Sequence, residues 1–290
     1  MSILDIKTSN NVIIDLINKN QPFTIVRLGI GSETYMTLEY LHTGKINKRY
    51  LHPELLTLYN AGIYTRDKDL KKMELYCKFY DMSIKNSDIL ASFVAPNMVQ
   101  IQNYFSNKYS INQIHSRSLE PFYAIMDNEI PWTHNLKGKK VLVIHPFVKS
   151  FQKQLNNNFR MFKNTDIFLS DQEFVFYKTF QTIAGNHIHD SWLETFNIMC
   201  NDIKNLDFDI ALLGCGGYGL PLCNYIKKSL KKSAIYIGGG LQLLFGVTGK
   251  RWDTNEIIQK IIRENECEFI RPSQDEQCDN LRTIEGGCYW

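Results

Sequence analysis

A chain of 290 residues, 44% hydrophobic and 22% charged, can bury a large core without disulfide or metal staples. Its 33 Lys and Arg stand against 30 Asp and Glu, a net charge of +3 that excludes the basic excess of a nucleic-acid binder while leaving room for a small anionic ligand. No uninterrupted apolar run approaches about 18 residues and the opening MSILDIKTSNN lacks the basic and apolar regions of a signal peptide, so a cytoplasmic protein without a transmembrane segment is expected. Seven cysteines with no CxxC pair fit free thiols in a reducing compartment.

In chain order, a helical pattern over 11–19 precedes the apolar run FTIVRLG (23–29), whose continuation GIGSETY presents Arg27, Gly29, Gly31 and Glu33. A second helical pattern covers 69–84. Further β-branched runs are ILASFVAP (89–96), KVLVIHPF (140–147), TDIFLS (165–170), FDIALLGCGG (208–217) and AIYIGGG (234–240), with helical patterns over 190–204 and 220–232. Continuous apolar runs of this length suit strands buried on both faces, and their alternation with helices predicts an α/β fold: a Rossmann-like, mostly parallel sheet with helices on both faces. The turn-rich stretch 128–139 separates two halves without resembling a flexible linker.

In such a sheet, ligands bind beyond the carboxyl ends of the strands. Gly214, Gly216 and Gly219 have G-x-G-x-x-G spacing, with Gly217 added, between a strand and a helix. This pattern either aims amide N–H groups and a positive helix end at an anion or lets the helix pack closely on its strand. A dinucleotide site would need an acid roughly 20 residues on, at the end of the next strand. That strand ends in Gly238-Gly239-Gly240, and the first acid after the turn is Asp253. A P-loop fails as well, since Leu244 stands five before Gly249 and Arg251 follows Lys250. The segment GGGLQLLFGVTGKRWD (238–253) adds Gly239, Gln242 and the adjacent cations Lys250 and Arg251, which suit a diphosphate or form a solvated helix end. Glu33 can ligate a hard divalent ion or sit in the first turn of the following helix. In GNHIHDSWLETF, His187, His189, Asp190 and Glu194 read as a loop with Asp190 as helix N-cap rather than as a metal cluster.

Taken together, RLGIGSE (27–33), LEPFY (119–123), GKKVLVIHPF (138–147), FDIALLGCGGYGLPL (208–222), GGGLQLLFGVTGKRWD and the terminal EGGCYW (285–290) resemble the GT-D fold glycosyltransferases and their GT-D-like relatives, in order and over nearly the whole chain. The resemblance implies a single domain over 1–290. Glu285 flanked by Gly286 and Gly287 suits a tail that folds over the site or a surface acid in a frayed end, and the aromatic ending Tyr289-Trp290 favours a tail 264–290 docking near the site. The resemblance also implies transfer of a sugar from a nucleotide-sugar, in the first place a UDP-sugar, to a glycan or glycoconjugate, assisted by Mn2+ or Mg2+ at Glu33. One departure concerns the acidic pattern R-x-G-D-G-E: Ile30 stands where the Asp would be, Ser32 where the Glu would be, and Glu33 lies one place beyond.

Glycosyl transfer needs a stabilised leaving diphosphate and a base for the acceptor hydroxyl. Donor binding is expected at Arg27, Gly29, Gly31, Gly214, Gly216, Gly217, Gly239, Gln242, Lys250 and Arg251. The candidate bases are Glu285, then Glu120, then His145. Two alternatives remain: an NAD- or S-adenosylmethionine-dependent Rossmann enzyme, and a nucleotide-sugar-binding relative that does not turn over. Sugar, acceptor, stereochemistry and oligomeric state are left open.

Overall fold

The computed structural model describes residues 3–51 and 60–290. Seven strands form one all-parallel sheet in the order β3-β2-β1-β7-β6-β4-β5. The strands are β1 (Thr24–Arg27), β2 (Ile89–Ser92), β3 (Asn112–His115), β4 (Lys140–His145), β5 (Glu173–Lys178), β6 (Ile210–Leu213) and β7 (Ser233–Tyr236). The pleat sends successive side chains to opposite faces, and because both faces are covered both sets are apolar. Val26, Leu90, Leu142, Ile144, Ala211, Leu213 and Ala234 enter one core. Ile25, Ile89, Ala91, Val141, Val143, Ile210, Leu212 and Ile235 enter the other.

The first face is covered by α2 (Ser32–Thr43), α3 (Leu70–Lys85), α4 (Pro96–Tyr109), α7 (Trp192–Ile203) and α8 (Gly219–Lys228). The second is covered by α1 (Ile6–Asn18), α5 (Phe122–Met126), α6 (Val148–Asn156), α9 (Leu241–Leu244) and α10 (Glu256–Asn265). Local chemistry sets several of the helix starts. Asp5 caps α1 by accepting from the Thr8 N–H at 2.8 Å, Asp69 caps α3 through Lys71, and Asn255 caps α10 through Ile258. For α7 the N-cap is Ser191 rather than Asp190, and Glu194 reaches back to accept from the Asp190 N–H at 2.9 Å.

One predicted strand is absent. TDIFLS (165–170) is irregular: His134 Nε2 bonds the Asp166 carbonyl at 2.7 Å and Thr133 Oγ1 donates to that of Ile167, so side chains occupy carbonyls that a strand would offer to a neighbour. The strand that pairs with β4 is instead EFVFYK, in register from Lys140↔Glu173 to His145↔Lys178. Both edge strands, β3 and β5, escaped the sequence reading.

Candidate functional site

The carboxyl ends of β1, β4, β5, β6 and β7 open into a cavity of about 410 Å3, a size typical of small-molecule sites. Of the residues singled out from sequence, Arg27, Gly31, Glu33, His145, Gly214, Gly216, Gly217, Gly239, Gln242, Arg251 and Glu285 line it. Gly29, Lys250 and Glu120 do not.

Arg27 ends β1. Its Nη1 donates to the Ile237 carbonyl at 2.9 Å, its guanidinium lies 4.7 Å from the Phe93 ring centre, and its buried Nε has no partner. Gly238 is needed beside it, with φ of 76° and so little room that a Cβ would sit 3.0 Å from the guanidinium carbon. Glu33 is buried in the first turn of α2, and its Oε2 is also unpartnered. Burial raises the Glu33 pKa, opposed by the charge of Arg27. A Cβ on Gly29 or Gly31 would overlap the Glu33 carboxylate, so these glycines make room for a side chain of the protein and not for a ligand.

The glycine turn after β6 has the same character. A Cβ on Gly214 would lie 2.5 Å from the His145 ring, one on Gly217 would lie 2.6 Å from Ile63, and one on Gly219 would overlap the Tyr236 ring. Close packing therefore accounts for three of the four glycines. Gly216, at φ of 58°, is the turn residue that needs the left-handed region. Gly216 and Gly217 nevertheless open the helical segment that continues into α8, where first-turn N–H groups have no intrahelical acceptor.

His145 is not placed as a base. Its Nδ1 accepts from the Phe147 N–H at 3.0 Å, so the proton of the neutral ring sits on Nε2 and the group can only donate. Burial between Phe147 and Phe151 pushes its pKa down to about 3. Glu120 lies behind the cavity wall, where a Cβ on Gly240 would overlap its carboxylate. Burial pushes Glu120 up to about 7, with Arg27 and Arg117 holding it lower than it would otherwise be.

The chain's end forms the remaining wall. The Lys250 N–H donates to the Trp290 carbonyl at 2.9 Å, the Arg251 N–H to that of Cys288 at 3.0 Å, and Trp290 Nε1 to that of Glu276 at 3.2 Å. Tyr289 packs on Gly239, where a Cβ would come within 2.6 Å of its ring. Arg251 lies 4.6 Å from the Tyr289 ring centre and its Nη2 bonds Glu285 at 2.6 Å, so its charge is already matched. Lys250 turns instead to the Gly286 carbonyl at 3.5 Å, and the two adjacent cations do not converge on one ligand position. Gln242 is fully buried, its Nε2 donating to the Tyr289 carbonyl at 3.1 Å.

The residues around Glu33 do not fit a divalent ion. Such ions want several oxygen ligands, whereas this carboxyl shares its surroundings with the Arg27 cation, and Ile30 is exposed at the position of the family's Asp. Among the described residues no three His, Cys, Asp or Glu side chains gather into a metal-binding group. His187 stacks on Tyr64 at 4.4 Å and His189 Nδ1 bonds Thr195 at 2.9 Å, both outside the cavity.

The sequence reading missed the Thr179–Ile183 wall, which follows β5, and Asn60, while the aromatic ending Tyr289 and Trp290, expected to dock the tail, also lines the cavity. The aromatic, β-branched run FVFY of β5 was the available signal for that wall.

Among known families, a model described as a GT-D fold-like domain matches residues 6–244. Neither a curated protein nor a solved structure matches the chain.

Proposed function

This chain belongs to the GT-D-like family, and from that premise we propose that it transfers a glycosyl group from a nucleoside-diphosphate sugar, in the first place a UDP-sugar, to a hydroxyl of a glycan or glycoconjugate. The observation that carries this reading is the cavity beyond the strand ends, walled by the Arg27 guanidinium whose Nε has no protein partner. As the bond to the sugar breaks, negative charge builds on the diphosphate. Arg27 stabilises it by charge-assisted hydrogen bonds, together with the first-turn amides of Gly216 and Gly217. In this role Arg27 does what a divalent ion would do elsewhere, and no step passes through a metal.

Among the described residues, two carboxyls reach the cavity. Glu285 is committed to Arg251, whose Nη2 donates to its Oε2 at 2.6 Å. Glu33 is buried beside Arg27, its pKa raised by burial, and its Oε2 has no protein partner, which leaves that oxygen to take the proton of an acceptor hydroxyl. We assign the base to Glu33. The functional unit is the whole chain, 1–290, with the tail 264–290 as part of the site wall. Among the described residues no helix is long and apolar enough to cross a membrane, and all seven cysteines are free, which supports a cytoplasmic setting.

Calorimetric titration with UDP and UDP-glucose tests the reading. Wild type binds both, and Arg27→Ala weakens both by at least about tenfold, the value of one charge-assisted hydrogen bond in a buried site. Absence of binding across UDP-, GDP- and dTDP-sugars would refute it. One observation favours a second reading: exposed Ile30 at the position of the family's Asp suits a relative that binds nucleotide-sugars without turnover. Binding without release of UDP across a donor and acceptor panel selects that reading.

A further inference from the structure

Among the described residues, seven buried side-chain atoms have no hydrogen-bond partner in the protein. Five of them belong to residues that line this one cavity: Arg27 Nε, Glu33 Oε2, Asn60 Oδ1, Gln181 Oε1 and Gln242 Oε1. The other two, Gln113 Oε1 and Gln172 Oε1, lie elsewhere. Buried polar atoms are normally satisfied, so such a concentration marks the surface that a ligand completes. Its composition is one-sided, because four of the five atoms are acceptors.

The orientation of two amides is fixed by their other ends. Gln242 Nε2 donates to the Tyr289 carbonyl at 3.1 Å and Gln181 Nε2 to the Glu276 carbonyl at 2.7 Å. Each amide donor is thereby tied down, and each oxygen is the end left without a partner. Both anchoring carbonyls belong to the segment beyond residue 244, outside the family match. Trp290 Nε1 donates to the same Glu276 carbonyl at 3.2 Å, tying the last residue to the anchor of Gln181.

A diphosphate brings only acceptors and cannot satisfy amide oxygens. Sugar hydroxyls bring protons and can. In the unliganded protein these oxygens are sealed from solvent as well as unpartnered, so each gains a hydrogen bond that it lacks when a hydroxyl reaches it. We infer that Asn60, Gln181 and Gln242 form the sugar subsite, which reads the hydroxyls of a fully hydroxylated hexose, and that the C-terminal segment sets this selectivity by orienting Gln181 and Gln242. The inference rests on the transferase reading above and assigns the two halves of the donor: the diphosphate to Arg27 and the turn after β6, the sugar to the acceptor-lined wall. A hexose lacking one of the recognised hydroxyls leaves an amide oxygen dry and is discriminated against strongly.

The test is calorimetric titration of the full chain with UDP, UDP-glucose, UDP-galactose and UDP-xylose, together with saturation-transfer NMR on the free hexoses. It is run on wild type and on Gln242→Met and Gln181→Met, which keep side-chain length and remove the acceptor. Thermal melting of each variant separates loss of fold from loss of recognition, and Gln181, only partly buried, serves if the Gln242 variant fails to fold. Expected is a UDP-hexose bound at least about tenfold more tightly than UDP or UDP-xylose, with that margin cut severalfold in either variant. If UDP binds and no sugar adds to its affinity, or if the margin survives both substitutions, the inference is overturned while the transferase reading stands. If no nucleotide binds but a free hexose does, and either variant abolishes its signal, the sugar subsite is upheld and the nucleotide-sugar reading fails. Binding of nothing in the panel overturns both.

Discussion

Gly219, the first residue of α8, lies flat against the ring of Tyr236 at the end of β7, and a Cβ on it would lie within 2.5 Å of the ring's Cδ2. Replacing a helical glycine with alanine ordinarily stabilises by up to about 1 kcal/mol. Here the sign reverses. Tyr236 is itself held, its hydroxyl donating to the Gly216 carbonyl at 2.8 Å, so it cannot swing aside. Gly219→Ala is expected to destabilise by about 1–3 kcal/mol, the usual cost of overpacking, measured by urea denaturation.

Glu120 supplies a pH dependence of stability. Its folded pKa of about 7 lies above the ordinary glutamate value of 4.5, so the folded state holds a proton that the unfolded chain releases. The resulting stabilisation is complete below about pH 4.5 and is lost as pH rises through 7. Glu120→Gln, neutral at every pH, is expected to be more stable than wild type at pH 8, by at most about 3 kcal/mol, and little different at pH 5. Denaturation curves of both proteins at the two pH values check this.

Glu285→Gln separates two roles for one residue. With the Arg251 partner neutralised, stability changes by less than about 1 kcal/mol, as for exposed ion pairs generally. The freed guanidinium strengthens UDP binding severalfold. Were Glu285 the base instead, turnover would fall about 100-fold or more while affinity stayed level.

Metal independence is the fourth expectation. Adding Mn2+ or treating with EDTA is expected to leave the melting temperature and the UDP dissociation constant unchanged, because Arg27 and not a cation neutralises the phosphates. A UDP affinity that rises more than about tenfold with Mn2+, which corresponds to 1.4 kcal/mol, would restore Glu33 as a ligand.

The interior of the fold was legible in the sequence, and its margins were not. β1, β2, β4, β6 and β7 carry apolar residues on both faces because strands flank them on both sides and helices cover them. β3, reading NQIH, and β5, reading EFVFYK, pair on one side only, and their polar residues blur the pattern. In the site, the place of Arg27, Glu33, Gln242 and Arg251 in the cavity wall was readable. The reason for the glycines was not. Spacing cannot distinguish a glycine that admits a phosphate from one that admits the Tyr236 ring, since both demand the same missing Cβ. Nor does a sequence show that Lys250 and Arg251, though adjacent, turn to Gly286 and Glu285 respectively.

The pairing of β1 with β7, Thr24 opposite Ala234 and Ile25 opposite Ile235, has a consequence for biosynthesis. The middle of the sheet is a seam between the earliest and among the latest strands to leave the ribosome. The β1–β3 half can collapse early, but β1 keeps one open hydrogen-bonding edge until more than 200 further residues have been translated. Closing that seam is a long-range event of high contact order, which makes its formation slow relative to the local helices. Nascent chains stalled before β7 therefore present an unpaired edge, and they are the species on which a holding chaperone would act.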